Sequence, residues 1–511
     1  MKKSKKSQQT IDSSLKKIVR SSFFVFICII LSKFLAYLYR IIIARNFGPE
    51  TYGVFSLTLT IMVWATALSA FGFEEGILRF SSFYHGKKDY RRIRYLFRYV
   101  KTILLVTTVI TTILLFLLSG IIGERIFHNP ELKIFLRWFS LAIPFFVFSY
   151  IFINLLKSFE KIEYSSLIEY VFQSAFQLLV LYFFWSIGFG TTSIILSYIL
   201  GGIFLFAVAF YILKKQIPEI AGEISLEDKK KKKLRKELFH YSWPLILFSM
   251  ISTFFYWIDS LVIGYFKGAA EVGFYNAAAP IAALLFLIPV IFIQMFFPLI
   301  NKEYAKKNIK VIRELSKQVS KWILILNLPI FIIMFAFPGA LLSVLFGKEY
   351  IIAENALRFL SLGAFFSSVI FLSNHLISMA GKSKLILFNM IIASVLNTGL
   401  CLLLVPKYGI DGAAVSTAIT SVIFGLLFLF QSYYFLSIVP LRRKMLRIIL
   451  VSIFPALVLA YIRKFFEINI FTMSVLGVFF LLVYLILVIL VGGLDRNDLM
   501  IISTIKKKLG G

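Results

Sequence analysis

About fourteen apolar runs, each near 20 residues long and parted by short polar segments, constrain this 511-residue chain more than any other feature. Roughly 20 apolar residues in a helix cross the hydrocarbon core of a bilayer, where a backbone must satisfy its own hydrogen bonds. The runs cover 18–43, 54–73, 96–119, 134–156, 167–185, 191–213, 241–266 and 272–299, then 322–345, 357–379, 385–405, 412–436, 446–462 and 470–491. They predict an all-α integral membrane protein of about 14 transmembrane helices. The first run is far longer than the roughly 7–15 residues of a signal-peptide core and has no small-residue cleavage site, so it reads as a retained helix.

Hydrophobic residues make up 59% and charged residues 16% of the chain, against roughly 45–50% and 25% in soluble domains. A soluble enzyme, a disordered protein and a nucleic-acid module are thereby excluded, although 55 Lys+Arg against 25 Asp+Glu give a net charge of +30. The basic residues sit in alternate loops, about 42 on one side and about 10 on the other, which puts both termini in the cytoplasm. Lys214 to Leu238 holds five consecutive lysines, Lys229 to Lys233, and reads as a cytoplasmic linker attracted to anionic membrane lipids, with no nucleic acid implied. The opposite loops are too short to house a catalytic domain. Cys28 and Cys401 lie inside apolar runs, so neither a disulfide framework nor a metal site is available.

The chain also repeats itself. At an offset of 220, Gly48-Pro49-Glu50-Thr51-Tyr52-Gly53-Val54-Phe55 aligns with Gly268-Ala269-Ala270-Glu271-Val272-Gly273-Phe274-Tyr275. At 221, Leu136 to Leu141 aligns with Leu357 to Leu362, Lys161 with Lys382 and Gly188 with Gly409. An offset of six helices preserves orientation, so the expectation is two parallel six-helix bundles around a central cleft, 18–213 and 241–436, as in transporters. The basic N-terminus (1–17), the linker (214–240), helices 13 and 14 (437–492) and a cytoplasmic tail (493–511) fall outside the repeat.

An ionisable side chain near the bilayer centre costs on the order of 3 kcal/mol and needs a reason. Lys33 and Arg40 share a face of helix 1, Arg45 follows, Glu74, Glu75 and Arg79 close helix 2, and Asp259 lies beside the position equivalent to Arg40. One reading has the arginines snorkel to headgroups and Asp259 pair with one of them. The other has helices 1, 2 and 7 line a net cationic cleft that favours an anionic, phosphate-bearing substrate, because a guanidinium donates in a bidentate fork. Asn154, Gln173, Gln177, Asn276, Gln294, Asn374, Asn389 and Asn397 either bind sugar hydroxyls or hydrogen-bond between helices. Glu169, Asp259 and His375 are candidates for ion coupling or for simple polar pairing. Prolines 144, 280, 289, 329 and 455 are expected to kink their helices. No Walker A, GxSxG or HExxH motif occurs, so no catalytic residue, metal or cofactor is expected.

With these residues in hand, the chain resembles the polysaccharide or oligosaccharide repeat-unit flippases of the multidrug/oligosaccharidyl-lipid/polysaccharide exporter superfamily. The resemblance rests on Gly48 to Leu57, Gly72…Glu74-Glu75…Arg79-Phe80, Val272 to Ala278, Phe346 to Tyr350, Gly381-Lys382-Ser383 and Val405 to Ala414. It implies two bundles in a V that move a polyprenyl- or dolichyl-phosphate-linked oligosaccharide from the cytoplasmic to the outer leaflet by alternating access. Lys33, Arg40 and Arg79 would then hold the phosphate, and helices 13 and 14 would match the pair that forms a lipid-tail groove in related lipid-linked peptidoglycan-precursor flippases. Two bundles in one chain make an obligate dimer unnecessary, so a monomer in the cell membrane is expected, with glycan polymerase or oligosaccharyltransferase machinery as expected partners. A cation-coupled drug or metabolite antiporter of the same superfamily is the alternative, and it would favour an acidic or neutral cleft.

Overall fold

Backbone groups inside a bilayer have no water to bond, and the described residues accordingly contain helices and turns and no strand. The computed structural model describes residues 2–223, 226–462 and 470–493. The expected tail, 493–511, lies outside them except for Gly493. The chain divides into two compact units, Met1–Gly273 and Phe274–Gly511.

The first unit holds α1 (Lys2–Ala70), α2 (Phe73–Gly86), α3 (Tyr90–Gly120), α4 (Pro130–Ser140), α5 (Ile143–Ser158), α6 (Ile162–Ser166), α7 (Gln173–Ser186), α8 (Thr192–Gln216) and α9 (Asp228–Lys267). The division falls inside α10 (Ala269–Ala283). The second unit continues with α11 (Leu287–Ala305), α12 (Ile309–Ala336), α13 (Pro338–Leu345), α14 (Glu354–Ile370), α15 (Leu372–Met379), α16 (Ser383–Leu436), α17 (Arg443–Ile462) and α18 (Ile470–Leu490). Nine helices among the described residues are long and apolar enough to cross a membrane, or ten if the bent pair α4 and α5 is one span. The protein is a multi-pass membrane protein.

The two longest of those nine are hairpins, each broken at a glycine. In α1, Gly48 adopts φ 79, ψ 175, a region that costs a residue with a Cβ dearly. The rings of Tyr39 and Phe55 consequently stand 5.8 Å apart, where a straight helix would separate them by about 24 Å. In α16, Gly409 adopts φ 56, ψ −134, and the return arm passes so close that a Cβ on Gly412 would lie 2.6 Å from the Leu404 carbonyl oxygen. Closer still, a Cβ on Gly53 would collide with the Ala269 carbonyl and one on Gly273 with the Pro49 carbonyl, so two aligned glycines of the repeat each seat against the other's helix.

Backbone corners recur with the sequence repeat. Positive φ occurs at Gly48 and Gly268, Lys88 and Lys307, Glu160 and Gly381, and Gly188 and Gly409. The hydrogen bonds recur too. Lys161 N–H donates to Leu156 O (2.9 Å) and Glu160 N–H to Lys157 O (3.0 Å), while Lys382 N–H donates to Ile377 O (3.2 Å) and Gly381 N–H to Ser378 O (3.0 Å). This is the paired bonding that satisfies orphan carbonyls at a helix end. Pro144 sits in the first turn of α5, beside the 46° bend from α4. Pro329 and Pro455 instead lie within continuous helices.

Leu105, Val109, Ile113 and Leu117 on α3 are all exposed at a spacing of four, an apolar stripe that suits lipid contact. In the second unit, Ile300, Ile312, Ile323, Leu372 and Leu376 are wholly buried in one core.

Candidate functional site

The outgoing arm of α1 carries Lys33 and Arg40 on one face, about 10 Å apart along the axis. Lys33 is exposed and Arg40 half-buried. The return arm brings Tyr52 to Arg40, whose guanidinium donates a hydrogen bond to the Tyr52 hydroxyl, and Tyr37 flanks the same charge. Tyr52 is fully buried and stacks on Phe55 at 6.4 Å, and the Tyr39 hydroxyl shares a 2.7 Å hydrogen bond with Ser197 of α8. Arg40 is therefore aimed by a packed aromatic wall. The tyrosines were not among the residues singled out by charge, although Tyr52 stands in the motif that turns the hairpin.

Arg79 stands on the next helix, α2, beyond the break at Phe71 and Gly72, whose φ of 54 and 66 end α1. Arg79 is exposed on α2 with its Cζ 4.2 Å from the centre of the Tyr241 ring. Asp259 is buried on α9 at 5% exposure and is not free.

Glu169 lies in a π-helical turn, Leu167–Phe172, of the kind that often marks a functional position. Its carboxylate is 2.7 Å from Lys157 Nζ and is hydrogen-bonded with Tyr170. Asn154 Nδ2 donates to the Glu74 carbonyl (3.3 Å) nearby. Lys157, at the end of an apolar run, was the partner that sequence inspection passed over. His375 sits on α15 with Nδ1 3.4 Å from the Phe371 carbonyl oxygen and its ring against Phe371 and Phe297, a local polar contact. Asn389 pairs with Gln431. Asn327, another residue not singled out, donates to Leu285 O (2.8 Å) and Ser368 Oγ (2.9 Å). Lys321 is fully buried on α12 and escaped notice because it borders an apolar run. Among the described residues no three His, Cys, Asp or Glu side chains group to hold a metal.

The profile described as polysaccharide biosynthesis protein matches residues 18–304 of the chain, more than half its length. The chain belongs to that family. The MatE profile matches residues 244–403, which agrees with the exporter superfamily seen in the motifs. A Shigella flexneri protein named "Putative O-antigen transporter" is 24% identical over 75% of this chain and 90% of its own. A Haloferax volcanii protein named "Probable low-salt glycan biosynthesis flippase Agl15" is 26% identical over 49% of this chain and 53% of its own. The fold matches that of the lipid II flippase MurJ in an inward closed conformation, with a TM-score of 0.73 at 18% identity over 90% of this chain and 98% of that one.

Proposed function

We propose that this protein is a flippase that moves an oligosaccharide linked to a polyprenyl or dolichyl phosphate from the cytoplasmic to the outer leaflet of the cell membrane, with no covalent chemistry. The observation that carries the reading is Arg40, a half-buried guanidinium within a membrane-spanning hairpin, held toward one direction by Tyr52. Such a group is costly in a bilayer and is suited to a bidentate phosphate. Lys33, one face-repeat away, supplies a second charge. The family match and the names of the two curated relatives support the same substrate class.

On this reading both termini are cytoplasmic and fourteen crossings form two six-helix repeats, 18–213 and 241–436, with helices 13 and 14 outside them. The repeats alternate between states of unequal affinity for the headgroup, since only unequal binding shifts a conformational equilibrium. An ion gradient or the membrane potential drives the cycle, with the Lys157–Glu169 pair as the first candidate for coupling and Asp259 and His375 after it. The protein acts as a monomer and hands its product to glycan polymerase or oligosaccharyltransferase machinery.

The test is leaflet sidedness of a lipid-linked oligosaccharide in proteoliposomes, read with a membrane-impermeant sugar-modifying reagent. Accelerated movement that disappears in Lys33→Ala/Arg40→Ala supports the proposal. The MatE match favours one other reading, a cation-coupled antiporter; export of a cationic dye with no movement of lipid-linked sugar would put it in place of the first.

A further inference from the structure

Arg79, on α2, opens onto a cavity. The cavity measures about 530 Å³ and is lined by Arg79, Phe80 and Tyr84 of α2, Arg92 of α3, and Lys230 and Lys233 of α9. That size falls in the range of roughly 300–1,000 Å³ usual for ligand sites. Helix packing builds it within one unit: a Cβ on Gly76 would lie 2.5 Å from Ser242 Oγ and 2.8 Å from Leu238 Cδ1, so α2 and α9 approach closely one turn before Arg79. The Phe80 and Tyr241 rings then meet edge to face at 5.8 Å, and the guanidinium lies over Tyr241.

The four cations are not equivalent. Arg92 pairs with Asp89 at 3.0 Å, Lys230 with Glu227 at 3.0 Å, and Lys233 approaches Glu237, the one acid in the lining, at 4.0 Å. Among the described residues no carboxylate lies within ion-pair distance of Arg79. A stacked guanidinium keeps its N–H edge available for an acceptor, so the cavity holds one uncommitted fork and three further positive groups around aromatic surface. It also lies on the side that carries the lysine run, which the proposed topology puts at the cytoplasmic headgroup level.

We propose that this cavity binds the phosphate of a lipid headgroup from the cytoplasmic leaflet, with Arg79 as its main donor and Arg92, Lys230 and Lys233 as supporting charges. The leaflet assignment rests on the flippase reading; the binding chemistry does not.

The test is native mass spectrometry of the full chain in detergent, titrated with dioleoylphosphatidic acid or dioleoylphosphatidylcholine, alongside calorimetry with sodium diphosphate. Phosphatidic acid should bind at least about 10-fold more tightly than phosphatidylcholine, and Arg79→Gln should weaken it about 10-fold. Tyr241→Leu, which removes the stack and no charge, should weaken it about 3-fold. Lys229→Gln/Lys232→Gln removes two charges of the same run outside the cavity and should change binding less than 2-fold. Each variant is compared only if its gel-filtration profile matches the parent. Equal losses in Arg79→Gln and Lys229→Gln/Lys232→Gln would mean diffuse attraction to a basic segment and overturn the proposal. Tight binding of diphosphate without selective binding of phosphatidic acid would overturn the lipid source. Failure of sugar translocation with this binding intact would reject the flippase reading alone.

Discussion

Asn389 and Gln431 exchange two side-chain hydrogen bonds, each 2.8 Å, across the two arms of the Gly409 hairpin. Each amide satisfies the other where no water is at hand, and Asn389 is only 1% exposed. Removing one partner strands a buried polar group, whereas interhelical bonds measured by double-mutant cycles within a membrane average only about 0.6 kcal/mol. Asn389→Leu is expected to lower stability by about 1–2 kcal/mol, and Asn389→Leu/Gln431→Leu to recover most of the loss. Thermal unfolding of the detergent-solubilised protein measures both; equal losses in single and double variants would disprove the coupling.

Gly53 and Gly273 allow no side chain. Gly53→Ala drives a Cβ into the Ala269 carbonyl, backbone that cannot rotate aside, and overpacking of this kind costs about 1–3 kcal/mol or more. Gly53→Ala and Gly273→Ala should each cut folded protein in the membrane several-fold, read as the monodisperse peak of a fluorescent fusion. Gly86→Ala, where nothing lies within 4 Å of the new Cβ, should leave that peak unchanged.

Arg40 and Tyr52 should separate charge from aim. Lys33→Ala/Arg40→Ala is expected to reduce translocation at least about 10-fold at normal abundance. Tyr52→Phe keeps the wall and removes the acceptor, so its effect should be smaller, about 2- to 5-fold. Full translocation in the double variant at normal abundance would remove Arg40 from the substrate path.

The Lys157–Glu169 pair, 2.7 Å apart, should behave as a unit. Glu169→Gln leaves a partly buried lysine without its counter-ion, a change that is costlier than losing both charges. Glu169→Gln is expected to be less stable than Lys157→Met/Glu169→Met. If the pair also couples transport to an ion, the double variant should be stable while its translocation no longer responds to an imposed gradient. A double variant that keeps gradient-dependent translocation would leave the pair a purely structural contact.

The membrane class, the apolar runs and the backbone repeat were legible because each is written locally. Mean hydropathy over 20 residues decides whether a segment leaves water, and a glycine at positive φ marks a corner wherever it stands, as at Gly48 and Gly409. Arg40 and Lys33 were also visible, since a cation in an apolar run stands out against its neighbours. Tyr52, Lys157, Asn327 and Tyr241 were not, because a tyrosine or a terminal lysine is ordinary in a membrane segment until its partner is known.

What the sequence alone determined was a helical membrane chain, with cations in its first spans and its family motifs at the turns. The tertiary structure decided which of those charges belong together. Helix rotation and depth set the pairings, and they depend on close approaches such as Gly76 on Ser242 and Gly53 on Ala269. Arg40 and Arg79, alike in type and carried by successive helices, therefore meet different partners, one beside Tyr52 and the other over Tyr241.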